Sequence, residues 1–194
     1  QLKTPLTGLK LSLETIRKTE ENKNALNVSK EQIDKMSNLI TLFLKDRKMS
    51  ANQIRFHFEN QNMIYLIKQA IKECIPLANK MQKKILFSAK EDCMFMKCDE
   101  VWMRECLLTL IENSLSHGND DVEIMCENGN AFFNVQVITK NILIDEAILP
   151  HLFERFYTDD NQHFGIGLHM AKLIVEQHHG TLSVYNNFDY TQVV

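Results

Sequence analysis

Gly165 and Gly167 stand two positions apart, directly before an apolar run of helical period in HFGIGLHMAKLIVEQHHG, residues 163–180. Bare backbone at the mouth of a helix serves one of two ends. It permits a tight, cap-like turn, or it lets phosphate oxygens approach free N–H groups at the positive end of the helix dipole. The spacing alone leaves both open. Other reactive residue types offer less. The five cysteines (Cys74, Cys93, Cys98, Cys106, Cys126) form no C-x-x-C pair and are odd in number. They read as reduced, mostly buried thiols of a cytosolic protein, with no disulfide or metal role. The seven histidines lack zinc spacing, and the adjacent His178 and His179 would point about 100° apart on a helix.

The elements that position these residues come from a chain of 194 residues, 44% hydrophobic and 24% charged. That is enough for one large domain or two small ones with a real core, and it excludes a disordered polymer. A net charge of −3 gives no argument for nucleic acid or an anionic membrane as partner. No apolar run approaches the roughly 20 residues that span a bilayer, and no signal peptide is visible.

Leu2, Leu6, Leu9, Leu13 and Ile16 recur at alternating steps of four and three, the seam of a helix that packs on other helices. Pro5 removes a backbone donor inside that seam and predicts a kink. After a polar turn at residues 20–27, Ile33, Met36, Ile40 and Phe43 repeat the spacing to about residue 49. Two antiparallel helices cannot bury both seams alone. A homodimer forming a four-helix bundle would, and the other solution is a hairpin docked on its own domain.

Beyond residue 50 the pattern changes. IRFHFE alternates as a strand does, and a helix follows behind Asn62 as N-cap. KKILFSA and CMFMKC read as short strands. A strong helix runs from the N-cap Asp99 to the stop at Gly118, and a hairpin with more than two loop residues surrounds Asn128-Gly129. Residues 139–164 show no clean period. The glycine-opened helix, GTLSVYN and a last short strand complete the chain. A sheet with helices on one face, segregated rather than alternating, is an α+β arrangement.

At this point the residues resemble a family. QLKTPL is similar to the segment just after the phosphorylated histidine of bacterial sensor histidine kinases, LIENSLSHG to their asparagine box, LPHLFERFY to their phenylalanine box, and GIGL to their second glycine box. Order and spacing agree over essentially the whole chain. The resemblance implies a dimerisation and histidine-phosphotransfer hairpin over residues 1–50. An α/β-sandwich ATP-binding domain, of the kind shared with gyrase and Hsp90-type ATPases, follows over residues 54–194. It implies that Gly165, Gly167 and Leu168 face the triphosphate, that Asn113 holds magnesium, and that Phe153 and Phe156 pack beneath the lid as support. It further implies a homodimer, a response regulator as partner, and the cytoplasmic portion of a membrane-anchored bacterial receptor whose span lies upstream.

Departures accompany the matches. The phospho-acceptor histidine would stand immediately before Gln1, and Gln1 itself replaces an acid that helps take the histidine proton; an amide cannot act as that base. Thr4 matches the polar residue that positions water for dephosphorylating the regulator. The first glycine box, Asp-x-Gly-x-Gly, falls on Thr139-Lys140-Asn141-Ile142-Leu143, and no element of it survives. Thr139 replaces the carboxylate that accepts the adenine amino hydrogen, a loss of about 1.5–3 kcal/mol for a charged hydrogen bond, and Leu143 is expected to crowd the nearby backbone. His163, Thr109 and Ser116 also depart from the family pattern, and Asp159 and Asp160 place negative charge in the lid.

Three readings follow: an active kinase core, a phosphatase-biased or nucleotide-poor pseudokinase working through Thr4, and a non-catalytic dimeric scaffold. All three share the hairpin, which predicts that replacing Leu9 and Leu13 with lysine yields monomers by light scattering while the C-terminal domain stays folded. An unmodified chain that is monomeric at micromolar concentration would contradict the dimer.

Overall fold

The computed structural model describes residues 23–51, 53–129, 132–157, 165–187 and 190–193. Thr4, the Leu2–Ile16 seam, Pro5, Asp159, Asp160 and His163 lie outside them. The chain divides into two compact units, Gln1–Ile54 and Arg55–Val194. The first contributes helix α1, Lys23–Ser50. It reaches back into the polar segment read as a turn, because residues 23–27 contain neither glycine nor proline to stop a helix. Ile33 and Met49 are buried, whereas Met36 (53% exposed) and Phe43 (39%) leave part of the predicted seam open.

The second unit contains β1 (Glu59–Asn62), α2 (Met63–Lys80), β2 (Ile85–Ala89), β3 (Phe95–Cys98) and α3 (Glu100–His117). Then come β4 (Val122–Asn128), β5 (Phe133–Lys140), a 3-10 turn at Leu149–His151, α4 (Gly167–Gln177), β6 (Val184–Asn187) and β7 (Tyr190–Val193). Five strands form one sheet in the order β2-β4-β5-β7-β6, with β2 parallel to β4 and the other pairs antiparallel. β1 and β3 form a separate antiparallel pair. Val122, Ile124 and Cys126 are buried on one side of β4. The alternate residues carry ion pairs, Lys140–Glu123 at 3.2 Å and Lys90–Glu127 at 3.5 Å. One face of the sheet is therefore apolar and packs on helices, and the other is polar. α3 lies between α2 and α4 and buries Cys106, Leu107, Leu110, Ile111 and Leu115.

Of IRFHFE only Glu59 enters a ladder, as the first residue of β1. The alternation there has another cause. Phe56 and Phe58 both turn onto the His178 ring, with centroids 5.5 and 5.1 Å away, and Phe56 also meets Trp102 at 5.9 Å. A period of two is produced here by a ring cluster rather than by a pleat.

Four cysteines are buried and Cys93 is exposed. Burial pushes the thiols of Cys74 and Cys106 up to about 12, with Glu112 and Glu73 adding to the effect at Cys74, and those of Cys98 and Cys126 up to about 11. All four thus stay protonated well above neutral pH, and the thiolate is the reactive form. At pH 8 an alkylating reagent should modify Cys93 alone in the native protein, the others reacting only on unfolding. Rapid native labelling of Cys106 would contradict this packing.

Candidate functional site

α3 and α4 run antiparallel and are fastened at both ends. At the first end Asp99 caps α3: its Oδ1 accepts from the Val101 and Trp102 N–H groups at 3.1 and 3.2 Å, and its Oδ2 accepts from His57 N–H at 2.8 Å. The Asp99 N–H in turn donates to His178 Nε2, just past α4, at 3.0 Å. Because Nε2 accepts, the proton sits on Nδ1, which donates to Ile174 O at 2.7 Å. Midway, Cys106 Sγ lies 3.7 Å from Ala171 O. At the far end Gly167 rests on α3: a Cβ there would lie 3.2 Å from Thr109 Cγ2 and 3.9 Å from Asn113 Nδ2. Bare backbone at Gly167 is what lets the two helices meet.

That meeting forms the mouth of α4. Its N-cap, Ile166, offers no side-chain cap, and no acid occupies the first turn, so the helix dipole and its first N–H groups are unanswered by the helix's own side chains. Asn113 is half-buried beside this mouth, and among the described residues its amide makes no hydrogen bond. Leu168 is half-buried in the same first turn. Thr109, in contrast, turns its hydroxyl back to Glu105 O at 2.9 Å and presents its methyl to Gly167.

Gly165 has a different function. Its φ is +61°, and a Cβ there would lie 2.4 Å from Tyr157 O. Phe156 N–H donates to Gly165 O at 2.9 Å, closing the base of the loop between them. Of the two ends a glycine can serve, Gly165 meets the tight-turn demand directly. Phe156 is 56% exposed, with φ +63°; the lid it is expected to support, residues 158–164, lies outside the described residues. The Gly165 closure holds its backbone and leaves the ring outside the core.

Thr139 lies near the end of β5, opposite Val122 and Thr191, and is buried. Its methyl faces the end of α3, where a Cβ on Gly118 would come within 2.2 Å. Gly118 follows Asn113 by about 7.5 Å of helix rise, so α3 carries Asn113 and Thr139 lies against its far end. The first-glycine-box expectation needs two corrections. Asn141, at the box's first glycine position, has φ +54°; asparagine is among the few side chains that tolerate this region. Its Nδ2 donates to Asp120 at 2.7 Å and its carbonyl accepts from Asn119 at 3.2 Å. Leu143 is 55% exposed and does not crowd the backbone. Instead Asn186 clamps the segment, accepting from Ile144 N–H at 3.1 Å and donating to Ile144 O at 2.5 Å, while the Thr191 hydroxyl donates to Ile142 O at 3.0 Å. Neither Asn186 nor Thr191 was singled out by the sequence, and their partners stand 42 and 49 positions away.

Two family models match: His Kinase A (phospho-acceptor) domain over residues 1–51, and Histidine kinase-, DNA gyrase B-, and HSP90-like ATPase over residues 98–193. The chain belongs to the sensor histidine kinases. Curated relatives include Sensor protein DltS of Streptococcus agalactiae serotype III, 22% identical over 97% of this chain and 49% of the relative. Sensor histidine kinase YkoH of Bacillus subtilis is 27% identical over 95% of this chain and 42% of the relative. The chain thus spans about half the length of these kinases or less. Among solved structures, full-length ShkA in complex with AMPPNP matches with TM-score 0.87 and 18% identity, over 99% of this chain and 42% of that one. Histidine kinase ThkA in complex with response regulator protein TrrA matches with TM-score 0.74 and 19% identity, over 98% of this chain and 55% of that one. The fold is that of a histidine kinase catalytic core, α+β, with helix α1 in the segment matched by the phospho-acceptor model and a helix-on-sheet ATPase unit.

The left-handed backbone at Gly165 and Asn141 leads to opposite expectations for the two residues. Gly165→Ala should destabilise the ATPase unit by about 1–3 kcal/mol, because it adds a side chain at left-handed φ against backbone. Asn141→Gly should shift stability by less than about 1 kcal/mol. Equal melting temperatures for Gly165→Ala and the parent would refute the first.

Proposed function

We propose that the Arg55–Val194 unit binds ATP with magnesium at the mouth of α4, and that the terminal phosphoryl passes to a histidine standing immediately before Gln1. From there it would pass to an aspartate of a response regulator. The observation that carries this reading is the half-buried Asn113 amide, without a partner among the described residues, beside an uncapped helix start kept bare by Gly167. The AMPPNP bound by ShkA and the regulator bound by ThkA support the same assignment.

Each residue has a part. The backbone N–H groups at Gly167 and Leu168 face developing negative charge at the positive end of α4. Gly165 fixes the loop base so that this mouth stays open. No cluster of three or more His, Cys, Asp or Glu side chains that could hold a metal occurs among the described residues. A single Asn113 oxygen nevertheless fits magnesium, an ion that takes few protein ligands and keeps waters and phosphate oxygens around it. Magnesium held by Asn113 would supply positive charge against the phosphates. Thr139 offers the adenine amino group a neutral hydroxyl, so base recognition is weak and discrimination against GTP is small. In the transfer a neutral imidazole nitrogen bonds to the terminal phosphorus, the phosphorus–oxygen bond to ADP breaks with its electron pair leaving on ADP, and the proton on the other ring nitrogen passes to water, since the Gln1 amide cannot take it. Thr4 would position water for the reverse, dephosphorylating function.

The open apolar residues of α1, Met36 and Phe43, support a second copy of the chain as partner through a four-helix bundle. No helix among the described residues is long and apolar enough to cross a membrane; attachment to a bacterial membrane receptor upstream and a cytoplasmic setting belong to this proposal. A nucleotide-poor, phosphatase-biased regulator is the second reading, favoured by the Thr139 methyl that packs on Gly118 where the family carries a carboxylate.

Calorimetric titration with ATP decides the site. Asn113→Ala should abolish the magnesium-dependent part of binding while leaving the nucleotide-free melting temperature unchanged. Equal magnesium-dependent affinity in variant and parent would reduce Asn113 to a structural residue.

A further inference from the structure

Just past β5 one residue is held at its backbone and at its side chain by the loop after α3. Asn141 stands in left-handed backbone, φ +54°. Its carbonyl accepts from Asn119 Nδ2 at 3.2 Å, and its own Nδ2 donates to Asp120 Oδ2 at 2.7 Å. Asp120 is fixed in turn, its Oδ1 accepting from Asp121 N–H at 2.8 Å. A carboxylate accepts and does not donate, so the half of the amide that faces Asp120 must be the NH2 group. Flipping the amide would set Oδ1 against the carboxylate. Oδ1 is therefore directed away from Asp120, and it has no partner among the described residues.

This open acceptor borders the place proposed for the base. Thr139 is two positions earlier and packs its methyl on Gly118, and Asn119 and Asp120, which hold Asn141, directly follow Gly118. Both residues thus line the same end of α3, but they differ in what they can distinguish. A hydroxyl donates, accepts and turns to suit, so Thr139 serves an adenine amino group and a guanine carbonyl alike. The pinned amide has one polarity. Its outward Oδ1 accepts from the amino group and repels the carbonyl oxygen. Glycine, which the family pattern has at this place, offers no side chain for either.

We infer that Asn141 is a specificity-determining residue, accepting the adenine amino hydrogen through Oδ1, and that Asp120 is the positioning residue that sets the polarity of its amide. The inference rests on the ATP-binding reading and deepens it: the small discrimination against GTP comes from Asn141 and not from Thr139.

The test is the ratio of the GTP to the ATP dissociation constant, read by calorimetry with magnesium on the full chain. The two nucleotides share the triphosphate, so a merely structural loosening weakens both and leaves the ratio unmoved. The parent should prefer ATP about fivefold, the worth of one neutral hydrogen bond. Asn141→Gly, which the left-handed backbone accepts, should abolish the preference by weakening ATP alone. Asp120→Asn keeps the size of the side chain and its acceptor for Asp121 N–H, but turns an NH2 group toward Asn141. The Asn141 amide should then flip, present its own NH2 group to the base and move the preference toward GTP. A parent that binds the two nucleotides equally, or a preference for ATP that persists in Asn141→Gly, would overturn the inference while leaving ATP binding intact. An unchanged ratio in Asp120→Asn would overturn the positioning role. No nucleotide binding by the parent would overturn the binding reading and this inference together.

Discussion

α3 and α4 are locked antiparallel by two contacts of different kinds. At one end a buried carboxylate, Asp99, gathers the start of α3, the incoming segment at His57 and, through its own N–H, His178 beyond α4. At the other end nothing but a missing side chain, at Gly167, lets α4 begin against Thr109 and Asn113. The first contact fixes the register of the pair, and the second converts that register into a site. Shift α4 by one turn and its free N–H groups no longer open beside Asn113. The polar fastening also joins the site to the ring cluster of Phe56 and Phe58, at the start of the second unit.

The first glycine box shows how backbone and chemistry can part company. Thr139 keeps its place at the end of β5 without the carboxylate, and Asn141 holds a left-handed turn without glycine. The turn is stabilised by Asp120 and Asn119 from the loop after α3, and the following residues by Asn186 on the edge strand β6 and Thr191 on its neighbour β7. Geometry in this region thus rests on polar contacts that survive loss of the acid. A neutral acceptor at Thr139 weakens only the interaction with the base, which leaves the phosphate end to supply more of the binding energy.

The legible parts of the sequence were the local ones. Asn62 and Asp99 cap the helices they precede, Gly118 ends α3, and the hairpin opens at Asn128-Gly129, because each signal acts within a few residues. Asn113 and Gly167 were legible through the family pattern, and the structure brings them together. Misreadings came from distant partners. The alternation of IRFHFE serves a ring cluster with His178, some 120 positions on by sequence number. The Asn186 clamp and the Asp99–His178 bond join residues that no local window contains. Phe156 reads as core by residue type alone, yet the closure by Gly165 turns it outward.

The central claim is that the nucleotide seats where α4 begins against Asn113. Heteronuclear NMR spectra of the full chain, titrated with AMPPNP and magnesium, test it most directly. The largest shifts should fall on the backbone amides of Gly167, Leu168 and His169 and on the Asn113 side-chain amide, with smaller changes near Thr139. Unchanged signals at the mouth of α4 under saturating AMPPNP, or shifts confined to Thr139–Leu143, would contradict it.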